Sequence, residues 1–270
     1  MIYRWKIRIL KTRRGNYLWR RWRAWRGDSV GSYADLGDHV RRFAPGHSFA
    51  DIGCMWGVNG EFAFLAESAG ATAVKGVDVF GPTPEFEARR VGQHSKVEFV
   101  LGDCTRPDTI ARIGVSDVVL CAGVLYHHPA PFDLLVALRQ LCRETLILRT
   151  STIPEIAGLK NAAVYYPQLE AESRALWNLS SLGLMHQAGI SAPFAPGDGY
   201  GNWFWGMTPS CLRSLVETAG FRVDEVITEA FAQTLLCSPV ESAFHHALPS
   251  PEESQRLAAE ISGAGIARPA

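Results

Sequence analysis

Three aspartates and a Tyr-His-His run are the groups whose types and spacing suit chemistry. Asp51 sits near the end of the apolar run Ser48-Phe49-Ala50-Asp51-Ile52, with Gly53 and Gly57 close behind it. Asp78 closes Ala73-Val74-Lys75-Gly76-Val77-Asp78-Val79, 21 residues past Gly57, and Asp103 follows Gly102 after Val97-Glu98-Phe99-Val100-Leu101. Tyr126-His127-His128 comes shortly after a fourth apolar run, residues 117–123. A carboxylate at a strand tip accepts hydrogen bonds from ligand hydroxyls such as those of a ribose, and glycine lets backbone approach a nucleoside closely. An imidazole titrates near neutrality and suits a general base, which makes His127 the first candidate, with His128 and Tyr126 next. If this run is extended, Tyr126 and His128 share one side and His127 takes the other. Two adjacent histidines without a carboxylate cluster chelate poorly, so no metal site is expected.

These groups need a scaffold that brings strand ends together. After each apolar run comes a helical stretch: residues 60–69 before Gly70, and residues 131–142 before a fifth strand at Thr145-Leu146-Ile147-Leu148-Arg149-Thr150. Alternating strands and helices predict an α/β fold, a parallel sheet covered on both faces with ligands beyond the carboxyl ends of its strands. Upstream, residues 32–43 read as a helix before the Pro45-Gly46 turn. Downstream, Thr208-Pro209-Ser210 opens a capped helix running to Ala219-Gly220. Strands at 221–228 and 230–237 then follow with a short connection, as for an antiparallel hairpin.

Charge is distributed unevenly. The net formal charge is zero, yet ten of the 27 Lys and Arg lie in residues 1–26, where there is no acid, leaving 17 basic against 27 acidic residues in the body. Trp19, Trp22 and Trp25 fall at near-helical spacing and would form a stripe facing away from Arg20, Arg21 and Arg23. Such a helix suits an anionic membrane surface, or RNA, or packing of its Trp face on the domain or on a second subunit in a homo-oligomer. The six cysteines lack metal-type spacing and read as reduced core residues of a cytoplasmic protein, peripheral at the membrane if the head binds there. No run of 18 apolar residues is present, and the N-terminus lacks the pattern of a signal peptide.

Asp51-x-Gly53-x-x-x-Gly57, Gly76-Val77-Asp78, Gly102-Asp103 and the strand before Tyr126 together resemble the class I S-adenosylmethionine-dependent methyltransferases over roughly residues 45–240. The resemblance implies a Rossmann-like methyltransferase fold with a mostly parallel seven-stranded sheet, helices on both faces and a lid insertion. It implies that the turn Gly53, Cys54, Met55 and Gly57 cradles the methionine part of S-adenosylmethionine. Asp51 and Val79 would flank that site, Asp78 would take the ribose, and Asp103 with Cys104 the adenine edge. The run Gly123-Val124-Leu125-Tyr126-His127, followed by Pro131-Phe132-Asp133, is similar to wobble-uridine carboxymethyltransferase-type enzymes. Met55 stands where the family's turn usually carries another glycine, which demands a different backbone path or a negative φ there.

Residues 151–206 exceed what a connector needs and read as a lid or substrate pocket, with a helical stretch near 168–177 and with His186, Trp203 and Trp205 as substrate-binding candidates. Packing of the two tryptophans on the core is the alternative. The expected organisation is a basic aromatic extension (1–44), a cofactor-binding core (45–150), the insertion (151–206), the end of the core sheet (207–240), and a C-terminal helix, near 250–262, with a tail (241–270). The expected activity is O-methylation of a small-molecule, sugar or lipid-linked acceptor. A tRNA wobble-uridine modifier and a non-catalytic scaffold are the alternatives.

Overall fold

The computed structural model describes residues 2–178 and 193–241, so the expected C-terminal helix near 250–262 lies outside the described residues. Strands β1 (Ser48–Ile52), β2 (Ala73–Asp78), β3 (Glu98–Leu101), β4 (Ser116–Ala122), β5 (Cys142–Ser151), β8 (Phe221–Thr228) and β9 (Ala232–Pro239) form one seven-stranded sheet in the order β3-β2-β1-β4-β5-β9-β8. Strands β1 to β5 pair in parallel, and β9 runs antiparallel between β5 and β8. This is the expected α/β architecture with its closing hairpin. The order reverses between β1 and β4, and a crevice forms beyond the carboxyl ends of strands at such a switch point.

Side-chain alternation explains why the central strands read as continuous apolar runs. Ala50 and Ile52 of β1, Val119 and Cys121 of β4, and Leu146 and Leu148 of β5 belong to one buried layer, while Phe49, Val118, Leu120 and Ile147 belong to the other. Successive residues point to opposite faces, and both faces are covered. The first layer packs on α6 (Pro107–Ile113), α7 (Pro131–Leu141) and α9 (Pro209–Thr218); the second packs on α3 (Leu36–Phe43), α4 (Glu61–Ser68) and α5 (Pro84–Gly92). Each fully buried large side chain contributes about 1.5–3 kcal/mol. All six cysteines are free and buried. As expected, Thr208 caps α9, its hydroxyl accepting from the Cys211 N–H.

A third cluster lies above the sheet and is built from distant segments. It joins Ile7 and Leu10 of α1 (Ile2–Leu10) to Tyr126, Tyr166, Trp203 and Trp177, the last residue of α8 (Ala171–Trp177). Within the insertion, β6 (Ala163–Tyr165) pairs antiparallel with β7 (Trp205–Met207). The head is held to this insertion by Tyr3, whose hydroxyl donates to the Pro154 carbonyl at 2.7 Å, and by Lys11, whose Nζ donates to the Ala175 carbonyl at 3.0 Å.

Helix α2 (Arg13–Trp25) departs from the expected division into an aromatic and a basic face. Trp19 packs against the aromatic cluster, but Trp25 is 83% exposed. A three-residue step turns only about 300°, so the stripe rotates by about 60° per step and leaves the domain. Arginines also lie beside the rings one turn back, Arg23 over Trp19 at 5.7 Å and Arg26 over Trp22 at 5.0 Å, as i,i+4 neighbours do. No described helix is long and apolar enough to cross a membrane.

The corner between α1 and α2 depends on Gly15. A Cβ there would lie 2.1 Å from the Ile9 carbonyl oxygen, a backbone atom, while the Gly15 N–H donates to the Thr12 hydroxyl that caps α2. Gly15→Ala is expected to cost about 1–3 kcal/mol by overpacking. Urea denaturation measures it.

Candidate functional site

The turn after β1 is shaped by left-handed backbone and by acid-to-amide bonds. Gly53 has φ +84°, and its N–H donates to the Val77 carbonyl at 2.8 Å. Cys54 is buried with its sulfur against Gly76, where a Cβ would come within 2.9 Å. Met55 is absent from the positive-φ residues, so the backbone takes the alternative path that its side chain requires, and Gly57 and Gly60 supply positive φ instead. Its side chain is buried in the layer with Phe49, Phe62 and Phe86, pointing into the core. Only its backbone faces the turn, its N–H donating to Asp78 Oδ2 at 2.7 Å. Met55→Gly is therefore expected to destabilise the fold by about 3–5 kcal/mol through cavity formation, measured by chemical denaturation.

The three aspartates occupy the same rim in different states. Asp51 is 2% exposed, and burial pushes its carboxyl up to about 7, with the nearby Asp78 adding to the rise and a hydrogen bond from the Ala63 N–H opposing it. Its Oδ2 is buried without a hydrogen-bond partner among the described residues. Asp78 is also raised by burial, against bonds from the backbone N–H groups of Phe80 and Met55. Val79 and Phe80 beside it are partly exposed, and Phe80 meets Trp56 edge-on at 5.0 Å. At Asp103 burial works upward, but hydrogen bonds from Tyr200 and Thr105 outweigh it and hold the carboxyl below its ordinary value. The Tyr200 hydroxyl donates to Asp103 Oδ2 at 2.6 Å. Cys104 is buried, and burial raises its thiol to about 12.

The Tyr-His-His run is not extended. Leu125–His127 form a 3-10 turn, so strand alternation does not apply, and the Tyr126 and His127 rings lie on neighbouring positions 4.4 Å apart. Tyr126 is buried and stacks on Trp203 at 4.0 Å; burial raises its phenol. His127 Nδ1 lies 2.8 Å from the Asn202 carbonyl oxygen. A carbonyl only accepts, so Nδ1 carries a proton. His128 Nδ1 lies 2.8 Å from the Ala130 carbonyl, its Nε2 is buried, and its ring is nearly parallel to Tyr200.

The segment 196–205 therefore straps the rim. Besides the bonds to Asp103 and His127, the Phe204 N–H donates to the Tyr126 carbonyl at 2.9 Å and Trp205 Nε1 donates to the Pro129 carbonyl at 2.9 Å. Gly201 leaves room for Trp56, whose Cη2 would stand 3.2 Å from a Cβ there. Within this strap Trp203 stacks on Tyr126 and the Trp205 ring lies 4.8 Å from that of Tyr165, while His186 lies outside the described residues.

Sequence reasoning missed three groups at this rim. Tyr200 was not among the candidates, although it stands three residues before Trp203. Tyr33 is raised to about 12 by burial and by the nearby Glu61, with Arg149 opposing and Asp51 adding to the rise, which places its phenol in the field of the first aspartate. The Arg149 guanidinium lies over the Tyr33 ring at 5.0 Å and pairs with Glu229 at 2.8 Å, both side chains nearly buried. An Arg closing an apolar strand was the available signal for Arg149.

No family model matches this chain, and no curated protein matches it by sequence. Solved structures do share its fold. The N-terminal domain of EvdMO1 in the presence of SAH and D-fucose aligns with TM-score 0.52 and 19% identity, over 78% of this chain and 84% of that one. The 1,6-didemethyltoxoflavin-N1-methyltransferase of Burkholderia thailandensis with bound 1,6-didemethyltoxoflavin and S-adenosylhomocysteine aligns with TM-score 0.51 and 15% identity, over 76% of each chain. An O-methyltransferase family protein from the same organism aligns with TM-score 0.51 and 15% identity, over 78% of this chain and 56% of that one. The described chain thus has the Rossmann-like fold of these methyltransferases.

Proposed function

We propose that this chain is an S-adenosylmethionine-dependent methyltransferase that methylates a hydroxyl of a small-molecule, sugar or lipid-linked acceptor. The observation that carries the reading is the buried, unpartnered Asp51 Oδ2 beside the Gly53 turn, at the point where the strand order reverses. A buried carboxylate oxygen calls for a cationic or hydrogen-bonding partner, and the ammonium of the methionine part supplies both. Asp78 retains lone pairs for ribose hydroxyls beside its two backbone donors. When bound, the cofactor supplies an electrophilic sulfonium methyl group that an acceptor oxygen takes by in-line displacement, releasing the neutral thioether. His127 would receive the hydroxyl proton, and the strap from 196 to 205 would exclude water. D-fucose in one neighbour's structure and 1,6-didemethyltoxoflavin in another's support a small-molecule acceptor.

Tyr200 occupies the Asp103 oxygen that the adenine edge would use. Tyr200→Phe removes that competitor and is expected to tighten cofactor binding about tenfold, since a hydrogen bond to a charged group is worth about 1.5–3 kcal/mol. Weaker binding would make Tyr200 a cofactor contact instead. The reaction type is tested by following methyl-labelled S-adenosylmethionine with a small-metabolite extract and tRNA as acceptors. Label in a base-stable methyl ether of a small molecule supports the reading; label in RNA, or released as methanol by base, overturns it.

A further inference from the structure

A second site lies next to this rim and bears on what the acceptor looks like. A cavity of about 450 Å³ separates α2 from the β8–β9 connection, a volume typical of small-ligand sites. Its helix wall is Arg13, Asn16, Tyr17 and Arg20, at i, i+3, i+4 and i+7, one face of α2. Its opposite wall includes Tyr33 and Glu229. Ala232, which also lines it, pairs with Ser151 at the carboxyl end of β5, so the cavity belongs to the same rim as the acids. Tyr33 lines the cavity and carries over its ring the guanidinium of Arg149, which belongs to β5, at 5.0 Å.

Charge decides the ligand class. Among the described residues neither Arg13 nor Arg20 makes an ion pair, whereas Arg23 on the same helix pairs with Asp28 at 2.8 Å. Glu229 is the acid in the lining, and it is already neutralised by Arg149; the two side chains are 14% and 13% exposed. The cavity therefore carries two guanidinium charges in excess. A neutral sugar would leave both uncompensated, whereas phosphate oxygens match the guanidinium fork.

We propose that this cavity is the anchoring subsite for a phosphorylated acceptor, with Arg13 and Arg20 binding its phosphate or diphosphate and the hydroxyl to be methylated reaching past Tyr33 toward the turn. The proposal rests on the methyltransferase reading for its purpose but not for its existence. The same phosphate chemistry can come from a soluble sugar phosphate or from a lipid-linked one.

The test titrates the full chain calorimetrically with inorganic pyrophosphate and with glucose 1-phosphate, and in parallel measures its sedimentation with phosphatidic acid vesicles. Two double variants lose the same charge: Arg13→Gln with Arg20→Gln, and Arg14→Gln with Arg26→Gln, the latter pair outside the cavity lining. Binding of the soluble phosphates that falls at least tenfold in the first variant and less than twofold in the second supports the subsite with a soluble source. The same contrast on vesicles alone supports it with a lipid source. Equal losses in both variants, or wild-type binding to none of the three probes, would overturn it. S-adenosylhomocysteine titrated separately keeps the outcomes apart, because phosphate binding without cofactor binding would remove the proposed function and leave this site standing.

Discussion

Asp51→Asn is expected to abolish cofactor binding while stabilising the free protein above pH 7. The Asp51 carboxyl is raised to about 7 by burial, so the folded state holds its proton more tightly than the unfolded chain. Between about pH 4 and 7 the folded state binds that proton and the unfolded state does not. This group therefore favours folding at low pH, and its contribution declines as pH rises to about 7 and is flat beyond. Over a shift of about three units the loss amounts to at most about 4 kcal/mol. Asn removes the buried charge but leaves an amide N–H without an acceptor where Oδ2 now stands, which returns about 1–3 kcal/mol. The net expected gain is at most about 1–3 kcal/mol, read as a higher melting temperature at pH 8. Binding moves the other way, because an amide offers no charge to an ammonium. Titration with S-adenosylhomocysteine should show at least a hundredfold loss; wild-type affinity in the variant would remove Asp51 from the site.

Gly53→Ala should damage both the fold and the cofactor turn. Residue 53 sits at φ +84°, where an L side chain is strained by about 1–2 kcal/mol, and its Cβ would lie 2.2 Å from Val124 Cγ2. Val124 is β-branched and cannot rotate away cheaply. Strain and overpacking together predict about 2–5 kcal/mol of destabilisation and at least tenfold weaker cofactor binding. Adding Val124→Ala relieves the clash but not the φ, so it should restore part of the stability. Full restoration would mean that the left-handed backbone is unimportant.

The parts of the fold legible in the sequence were those with local signatures. The strands from β1 to β5 announced themselves as apolar runs because both faces of the sheet are covered, and their acids marked the carboxyl ends. The closing hairpin followed from two runs with a short connection. The β6–β7 pair was not legible, since its strands are three residues long and about 40 residues apart, with no local pattern joining them. The 3-10 turn at Leu125–His127 was missed because three residues carry no period, and the extended reading of Tyr126 to His128 failed with it. Tyr200 on Asp103 and Arg149 over Tyr33 are contacts across 97 and 116 positions, which no spacing rule reaches. Met55 was legible as an irregularity, but its burial under the turn emerged only from the packing of Phe49, Phe62 and Phe86.

Calorimetric titration of the wild-type chain with S-adenosylmethionine, at pH 8 and at pH 6, tests the central claim most directly. A buried Asp51 carboxylate waiting for an ammonium predicts one site per chain with micromolar affinity at pH 8, weakening about tenfold at pH 6 as the carboxyl takes up its proton. Absence of binding at millimolar cofactor at both pH values would contradict the account.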